Sequence, residues 1–67
     1  MLSARNQFKG KIKALKLGTV MAEVVIGYGD SEIVSLISRG SAEKLKLKVG
    51  DEVTAIIKAT EVIVEKD

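Results

Sequence analysis

Alternating apolar and polar positions mark the first element of the chain. In residues 7–15, small or apolar residues alternate with lysines. The two sets are Phe8, Gly10, Ile12 and Ala14 on one side and Lys9, Lys11 and Lys13 on the other. A period of two predicts a β-strand with one buried and one solvated face, and Gly18 ends it.

Four further strands are predicted from β-branched and apolar runs that turn residues separate. They cover residues 19–28, 32–38, 52–59 and 61–65. The sequence GYGDSE, between the second and third strands, has the glycines and the aspartate of a hairpin turn. After the third strand, Gly40 breaks the pattern and Ser41 precedes AEKL, which predicts an N-cap and a single helical turn.

Five strands, with one short helical turn between strands three and four, predict an all-β fold. This order of elements is typical of a small five-stranded barrel of the oligonucleotide/oligosaccharide-binding (OB) type. The 67 residues are enough for one domain, 1–67, and leave no room for a linker and a second core.

Composition favours an oligomer over a monomer. A chain this short is marginally stable alone, and small domains usually gain stability from disulfides, metals or partner subunits. The sequence contains neither Cys nor His, which excludes disulfides and metal sites built from thiolates or imidazoles. Several strands are apolar on both faces, as at residues 24–26 and 55–57. We therefore expect subunits that bury these faces against one another.

The polar residues argue against an enzyme. General acid–base chemistry needs histidine or a tuned pair of carboxylates, whereas this chain has no His and its acids fall mainly in turns and exposed strand positions. No segment has the length and apolar character of a membrane span, and no signal peptide precedes the charged start. We expect a soluble, cytoplasmic, non-enzymatic protein with no membrane partner.

A small RNA- or single-strand-binding module is the alternative function. Positive charge is concentrated at the amino end, because five basic residues come before the first acid, Glu23. They are Arg5, Lys9, Lys11, Lys13 and Lys16. Single-strand binders, however, combine a basic groove with aromatic residues that stack on bases, and this chain has only Phe8 and Tyr28. Because Phe8 falls on the face opposite the lysines, we interpret the lysine row as a solvated strand face and do not expect nucleic acid as a partner.

A small oxyanion is the third possibility, since it needs several hydrogen-bond donors and a positive charge at one point. Ser3 and Arg5 are two residues apart and face the same side of an extended segment. Ser38 and Ser41 flank the helical turn, where free N–H groups are available. Lys58 is the lone cation within the fourth strand. Each residue also has an ordinary explanation as a surface charge, a helix cap or an edge charge.

A family resemblance favours the oxyanion. The segment SARNQFKGKIKALKLGTVMAEV, residues 3–24, resembles the opening of the molbindin (Mop) family, whose module also occurs as the molybdate-binding TOBE domain. The resemblance continues through SLISRGSAEKLKLKVGDEVTAIIKATEVIV, residues 35–64. It implies OB-like subunits that exchange strands to form dimers and assemble into a hexamer, a trimer of dimers. It also implies molybdate or tungstate bound between subunits, with no organic cofactor.

The resemblance also implies a set of binding residues from two subunits. Ser3, Arg5, Lys58 and Ala59 would come from one subunit, and Ser38 and Ser41 from another. Many relatives have serine at the position of Ala59, so only the backbone of this residue can contribute. A possible second anion site near the threefold axes would use the backbone of Val20, Met21 and Ala22.

The chemistry of these donors suits a molybdate ion. Molybdate is a tetrahedral dianion whose oxygens only accept hydrogen bonds, and hydroxyl, N–H, Arg and Lys groups can all donate. Hydrogen phosphate carries a proton that would stay unpaired in such a site, at a cost of about 1–3 kcal/mol. Sulfate has the same charge and shape, so only the cavity size could reject it. The sequence thus predicts a molybdate- or tungstate-binding homo-oligomer for intracellular storage or homeostasis.

Overall fold

Four antiparallel strands and one short helix form the fold of the computed structural model, which describes residues 4–66. They are β1 (Asn6–Leu17), β2 (Met21–Tyr28), β3 (Ser31–Ser38), the helix α1 (Arg39–Lys44) and β4 (Glu52–Ile57). A 3-10 turn, Ala59–Glu61, follows β4. The strand order is β3-β2-β1-β4, so the sheet is a curled half-barrel with β3 and β4 at its edges.

The predicted alternation in β1 is confirmed as far as Ile12, which is buried. The predicted solvated face is also confirmed, because Lys9, Lys11 and Lys13 are all exposed. Between Ile12 and Ala14 the register with β2 shifts at a β-bulge. The bulge adds one residue to β1, and Leu15 beyond it packs against the core.

The hydrophobic core lies on the concave face of the sheet. Its buried centre consists of Ile12, Val24, Ile26 and Ala55, from β1, β2 and β4. The partly buried residues around it are Phe8, Leu15, Ile33, Ile37, Leu47 and Val53. A cavity of about 440 Å³ opens on this face and is lined from all four strands. Because the two edge strands are not joined, this cavity is an open groove with a mainly apolar lining.

Helix α1 begins earlier than predicted. The N-cap is Ser38, whose Oγ accepts a hydrogen bond from the Ser41 N–H at 3.0 Å. Gly40, predicted to precede the helix, lies inside it. The predicted cap at Ser41 was wrong because the last residue of β3 already has the extended backbone and the side-chain acceptor that a cap requires.

The carboxyl end of α1 is closed by two backbone hydrogen bonds. Lys46 N–H donates to Glu43 O at 3.0 Å, and Leu47 N–H donates to Ala42 O at 3.2 Å. Lys46 itself has a positive φ of 53°. This is the Schellman arrangement, and it turns the chain so that Leu47 packs against the core.

The predicted fifth strand, residues 61–65, is wrong for the isolated chain. After β4, Glu61 N–H donates to Lys58 O at 2.9 Å and closes the 3-10 turn. Residues 62–66 then form no helix or strand, and Ile63 and Val64 are 93% and 88% exposed. The turn interrupts the extended run after Ile57, and these apolar side chains find no cover within one chain. The predicted five-stranded barrel is therefore corrected to a four-stranded half-barrel.

The predicted helical segment between strands three and four is confirmed. Within residues 4–66, no helix combines the length and apolar character that would let it cross a membrane.

Candidate functional site

Two serines at the start of α1 form a hydrogen-bonded pair, which we call the hydroxyl half-site (Ser38 and Ser41). Ser38 is the last residue of β3 and pairs with Met21 of β2. Its Oγ donates to Ser41 Oγ at 2.8 Å and accepts from the Ser41 N–H. The hydroxyl hydrogen of Ser41 is then left for an outside acceptor, because a hydroxyl has one donor hydrogen and two lone pairs. Both residues are exposed, so an anion can reach this donor.

The register of β1 with β4 places two cations on adjacent strands at the far end of the sheet, and we call them the cation half-site (Arg5 and Lys58). They flank the last pair of the β1–β4 ladder, Asn6 with Ile57. Both are exposed, and within residues 4–66 neither forms an ion pair. Neighbouring like charges repel, so a bound anion would stabilise this end of the sheet.

The residues next to the cation half-site add little side-chain chemistry. Gln7 Nε2 donates to Ala4 O at 3.0 Å and ties down the segment that carries Arg5. Ala59 is exposed at the start of the 3-10 turn and has no hydroxyl to offer. Ser3, the remaining predicted ligand, lies outside the described residues.

The two half-sites lie at opposite ends of β1. The cation half-site adjoins Asn6, whereas Leu17 at the other end pairs with Ala22, next to the Met21–Ser38 pair. A strand rises ~3.3 Å per residue, so β1 separates them by roughly 35 Å along its path. No tetrahedral oxyanion can span that path. One chain therefore brings together the members of each half-site but does not bring the half-sites together.

The backbone of Val20–Ala22 was the predicted second anion site, and its carbonyl groups are engaged. Val20 O accepts from Arg39 N–H and Met21 O accepts from Gly18 N–H, both at 2.8 Å. Ala22 is completely buried. Nothing observed here tests the second site, which stays a prediction.

Arg39 is a polar residue that the sequence reasoning did not single out. Its Nη1 donates to Gly18 O at 3.1 Å, and its Nε lies 3.5 Å from Glu43 Oε2. The acid four residues later on the same helix was a possible signal for the ion pair. The contact with Gly18 joins residues 21 positions apart and depends on the fold.

The described part of the chain offers few groups for binding a metal ion or for stacking on nucleic acid bases. Across residues 4–66, no cluster of three or more acidic side chains could hold a metal ion. The aromatic rings of Phe8 and Tyr28 pack edge to face, with centroids 5.0 Å apart and planes at 68°. Lys13 is paired with Glu32 at 3.3 Å. The hydroxyl and cation half-sites are therefore the best-developed polar sites.

Comparison with known proteins agrees with this description. The TOBE domain family matches residues 2–64. The chain is 50% identical over 64 residues to molybdenum-pterin-binding protein 1 of Clostridium pasteurianum, which is 94% of each protein. The structure of a molybdate-binding protein from Sporomusa ovata superimposes with a TM-score of 0.94, at 42% identity and 98% coverage of both chains.

A third similarity concerns a protein with bound ligand. The cytoplasmic molybdate-binding protein ModG, crystallised with molybdate bound, has a TM-score of 0.83 and 46% identity. The match covers 87% of this chain and 42% of that one. Fold and polar sites together define a small β-domain with the hydrogen-bond donors and cations of a ligand-binding protein. The chain belongs to the molbindin (Mop) family and has its TOBE domain, which confirms the resemblance noted in the sequence.

Proposed function

We propose that this protein binds molybdate or tungstate between the subunits of a homo-oligomer, and so stores or buffers the oxyanion in the cytoplasm. The separation of the two half-sites along β1 carries the proposal. One half supplies positive charge and the other supplies hydroxyl donors, and an oxyanion needs both. Two chains can join them if the cation half-site of one meets the hydroxyl half-site of the other. The molybdate bound to ModG supports the ligand class.

The chemistry of the hydroxyl half-site supports a fully deprotonated ligand. The two serines offer donors, and the acid on the same helix, Glu43, is already engaged by Arg39. A ligand that must itself donate a proton, such as hydrogen phosphate, would find only the remaining hydroxyl lone pairs as acceptors, and no unpaired carboxylate on this helix. Molybdate and tungstate carry no such proton near neutral pH.

The proposed oligomer is a hexamer built as a trimer of strand-exchanged dimers. Its support is the apolar surface that a single chain leaves open: the concave groove and the exposed residues 62–64. A tail from a second copy, inserted between β3 and β4, would complete a five-stranded barrel and cover both surfaces. Val34 and Leu36, on the outer face of β3, are also exposed and offer a contact for assembling dimers.

A molybdenum-pterin is the second candidate ligand because the Clostridium relatives carry that name. A pterin ring is usually held by stacking on an aromatic side chain, as nucleic acid bases are. The only Phe and Tyr of the chain pack against each other, and Tyr28 lies at the opposite end of the β2–β3 ladder from Ser38, which favours the inorganic oxyanion.

Complementation between two variants tests the shared site. Arg5→Ala removes a cation, Ser41→Ala removes a hydroxyl, and each variant alone should lose most molybdate binding in calorimetric titration. Co-refolding the two at equal amounts should restore about a quarter of the sites, because each site draws its halves from two chains at random. Lys66→Ala, which removes an exposed cation from the tail, is the matched control and should bind normally.

The outcomes separate the alternatives. A site within one chain would give no recovery in the mixture, which would contradict the shared arrangement. Parallel titrations of the unaltered protein with sulfate, a pterin and a single-stranded oligonucleotide test the other ligands. If titration with molybdate gives no binding signal and oligonucleotide binding weakens steeply with salt, the nucleic-acid alternative is favoured. The solution mass tests the hexamer.

A further inference from the structure

We infer that Arg39 is a positioning residue for the hydroxyl half-site, holding Ser41 in place without contacting the ligand; this inference rests on the proposed function. Arg39 is the first residue of α1 and stands directly between β3 and the rest of the helix. It makes two hydrogen bonds to one other segment of the chain, residues 18–20. Its backbone N–H donates to Val20 O at 2.8 Å, and its guanidinium Nη1 donates to Gly18 O at 3.1 Å.

The segment that Arg39 contacts is the turn between β1 and β2. This turn is closed by the hydrogen bond from Gly18 N–H to Met21 O at 2.8 Å. Met21 in turn pairs with Ser38 in the β2–β3 ladder. The turn and the start of the helix are thus connected twice, once at Ser38 through the β2–β3 ladder and once at the next residue, Arg39.

Helix α1 needs such a connection because it is only six residues long. Isolated helices of this length are not stable, so contacts with other elements fix the direction of α1. Ala42 is its one buried residue, and Leu45 at its carboxyl end is 66% exposed and packs little. The Arg39 side chain, which is half-buried, therefore adds a further constraint on the orientation of Ser41 to those from the Ser38 cap and the buried Ala42.

The contact with Gly18 matters more than the ion pair with Glu43. The Nε–Oε2 distance of 3.5 Å is long, and the Arg39 and Glu43 side chains are 42% and 61% exposed, so solvent screens the pair. A guanidinium that donates to a carbonyl oxygen at 3.1 Å makes a charge-assisted hydrogen bond with defined geometry. We therefore assign the positioning role to the Gly18 contact, and Glu43→Gln should leave molybdate affinity unchanged.

The test compares Arg39→Met with Lys44→Met in calorimetric titrations with molybdate. Both changes remove one cation from α1 and keep an unbranched apolar stem, but Lys44 makes no side-chain hydrogen bond or ion pair within residues 4–66. Arg39→Met should weaken affinity roughly tenfold, as expected when the support of a binding group is lost. Lys44→Met should change affinity less than about twofold. The solution mass of both variants should equal that of the unaltered protein.

Salt dependence separates positioning from simple attraction of the anion. If Arg39 acted only through its charge, high salt would screen the effect and the two variants would converge. A loss of affinity that persists at high salt supports positioning. Equal affinity of Arg39→Met and the unaltered protein, convergence at high salt, or a changed oligomer mass would each overturn the inference.

The failure of the proposed function would look different. In that case the unaltered protein itself would not bind molybdate, and the inference would fall with it. If Arg39→Met does not fold, Arg39→Gln provides the same comparison. Its amide can donate a hydrogen bond but is shorter and uncharged, so its affinity should lie between those of Arg39→Met and the unaltered protein.

Discussion

The hydroxyl of Ser38 caps helix α1 and at the same time donates to the hydroxyl of Ser41, at 2.8 Å. The cap uses the backbone N–H of Ser41, whereas the second bond uses its side chain. The two serines therefore differ in what they contribute. Ser38 stabilises the helix and orients its neighbour, while Ser41 has the hydrogen that is free to meet an anion.

Alanine substitutions at these positions should separate stability from binding. Ser38→Ala should lower the free energy of unfolding by about 1 kcal/mol, because the helix loses its cap. Ser41→Ala keeps the capped N–H and should change stability by less than about 0.5 kcal/mol. We nevertheless expect Ser41→Ala to lose most molybdate binding. Thermal denaturation and calorimetric titration of both variants check this. Equal stability losses would contradict the assignment of Ser38 as the cap.

Within residues 4–66, Lys46 is the one non-glycine residue with a positive φ. It adopts a positive φ of 53°, where a side chain other than glycine is disfavoured. Lys46→Gly should therefore raise the free energy of unfolding by roughly 0.5–1 kcal/mol, measured by denaturant titration. Lys44→Gly, inside α1, is the matched control and should lower it by about 1 kcal/mol. A destabilised Lys46→Gly variant would show that the Lys46 side chain contributes more than its backbone conformation costs.

The strands could be predicted from the sequence wherever one face is buried. The alternation around Ile12 identified β1, and the apolar runs identified β2, β3 and β4, because burial on the concave face selects those residues. The helix start was misplaced because Ser38 and Ser41 are both good caps in isolation. Ser38 is the cap because β3 ends there with an extended backbone, which places its hydroxyl within reach of the Ser41 N–H.

The prediction failed where pairing depends on other parts of the fold or on another chain. Residues 61–65 have a strand-like pattern, yet a strand also needs a free edge within reach, and the 3-10 turn after Lys58 interrupts the run. Similarly, the contact of Arg39 with Gly18 depends on how the β1–β2 turn meets α1, which local patterns do not contain. The residues of the hydroxyl and cation half-sites could be proposed from the sequence. Their separation along β1 could not, because it depends on the register of the strands.

Charges placed in the exposed tail should break the proposed oligomer. Ile63→Asp/Val64→Asp changes the net charge by two units and puts carboxylates where apolar residues would enter the groove of a second copy. Burying such charges unpaired is unfavourable, so the variant should dissociate, as measured by its solution mass. Lys66→Asp changes the charge equally but removes no apolar side chain, and it should leave the mass unchanged. An intact oligomer in the double variant would rule out tail insertion.

Molybdate should stabilise the assembled protein if its sites lie between subunits. A ligand that binds only the oligomer stabilises it by mass action, by about 2.7 kcal/mol for each site at a hundredfold excess over Kd. Millimolar molybdate should therefore raise the melting temperature by several degrees and slow the exchange of subunits between differently labelled oligomers. Sulfate at equal ionic strength controls for general anion effects, and Arg5→Ala should lose the response to molybdate. A site confined to one chain could raise the melting temperature but has no reason to slow exchange. Unchanged exchange would therefore contradict the shared site, and unchanged melting would contradict molybdate binding itself.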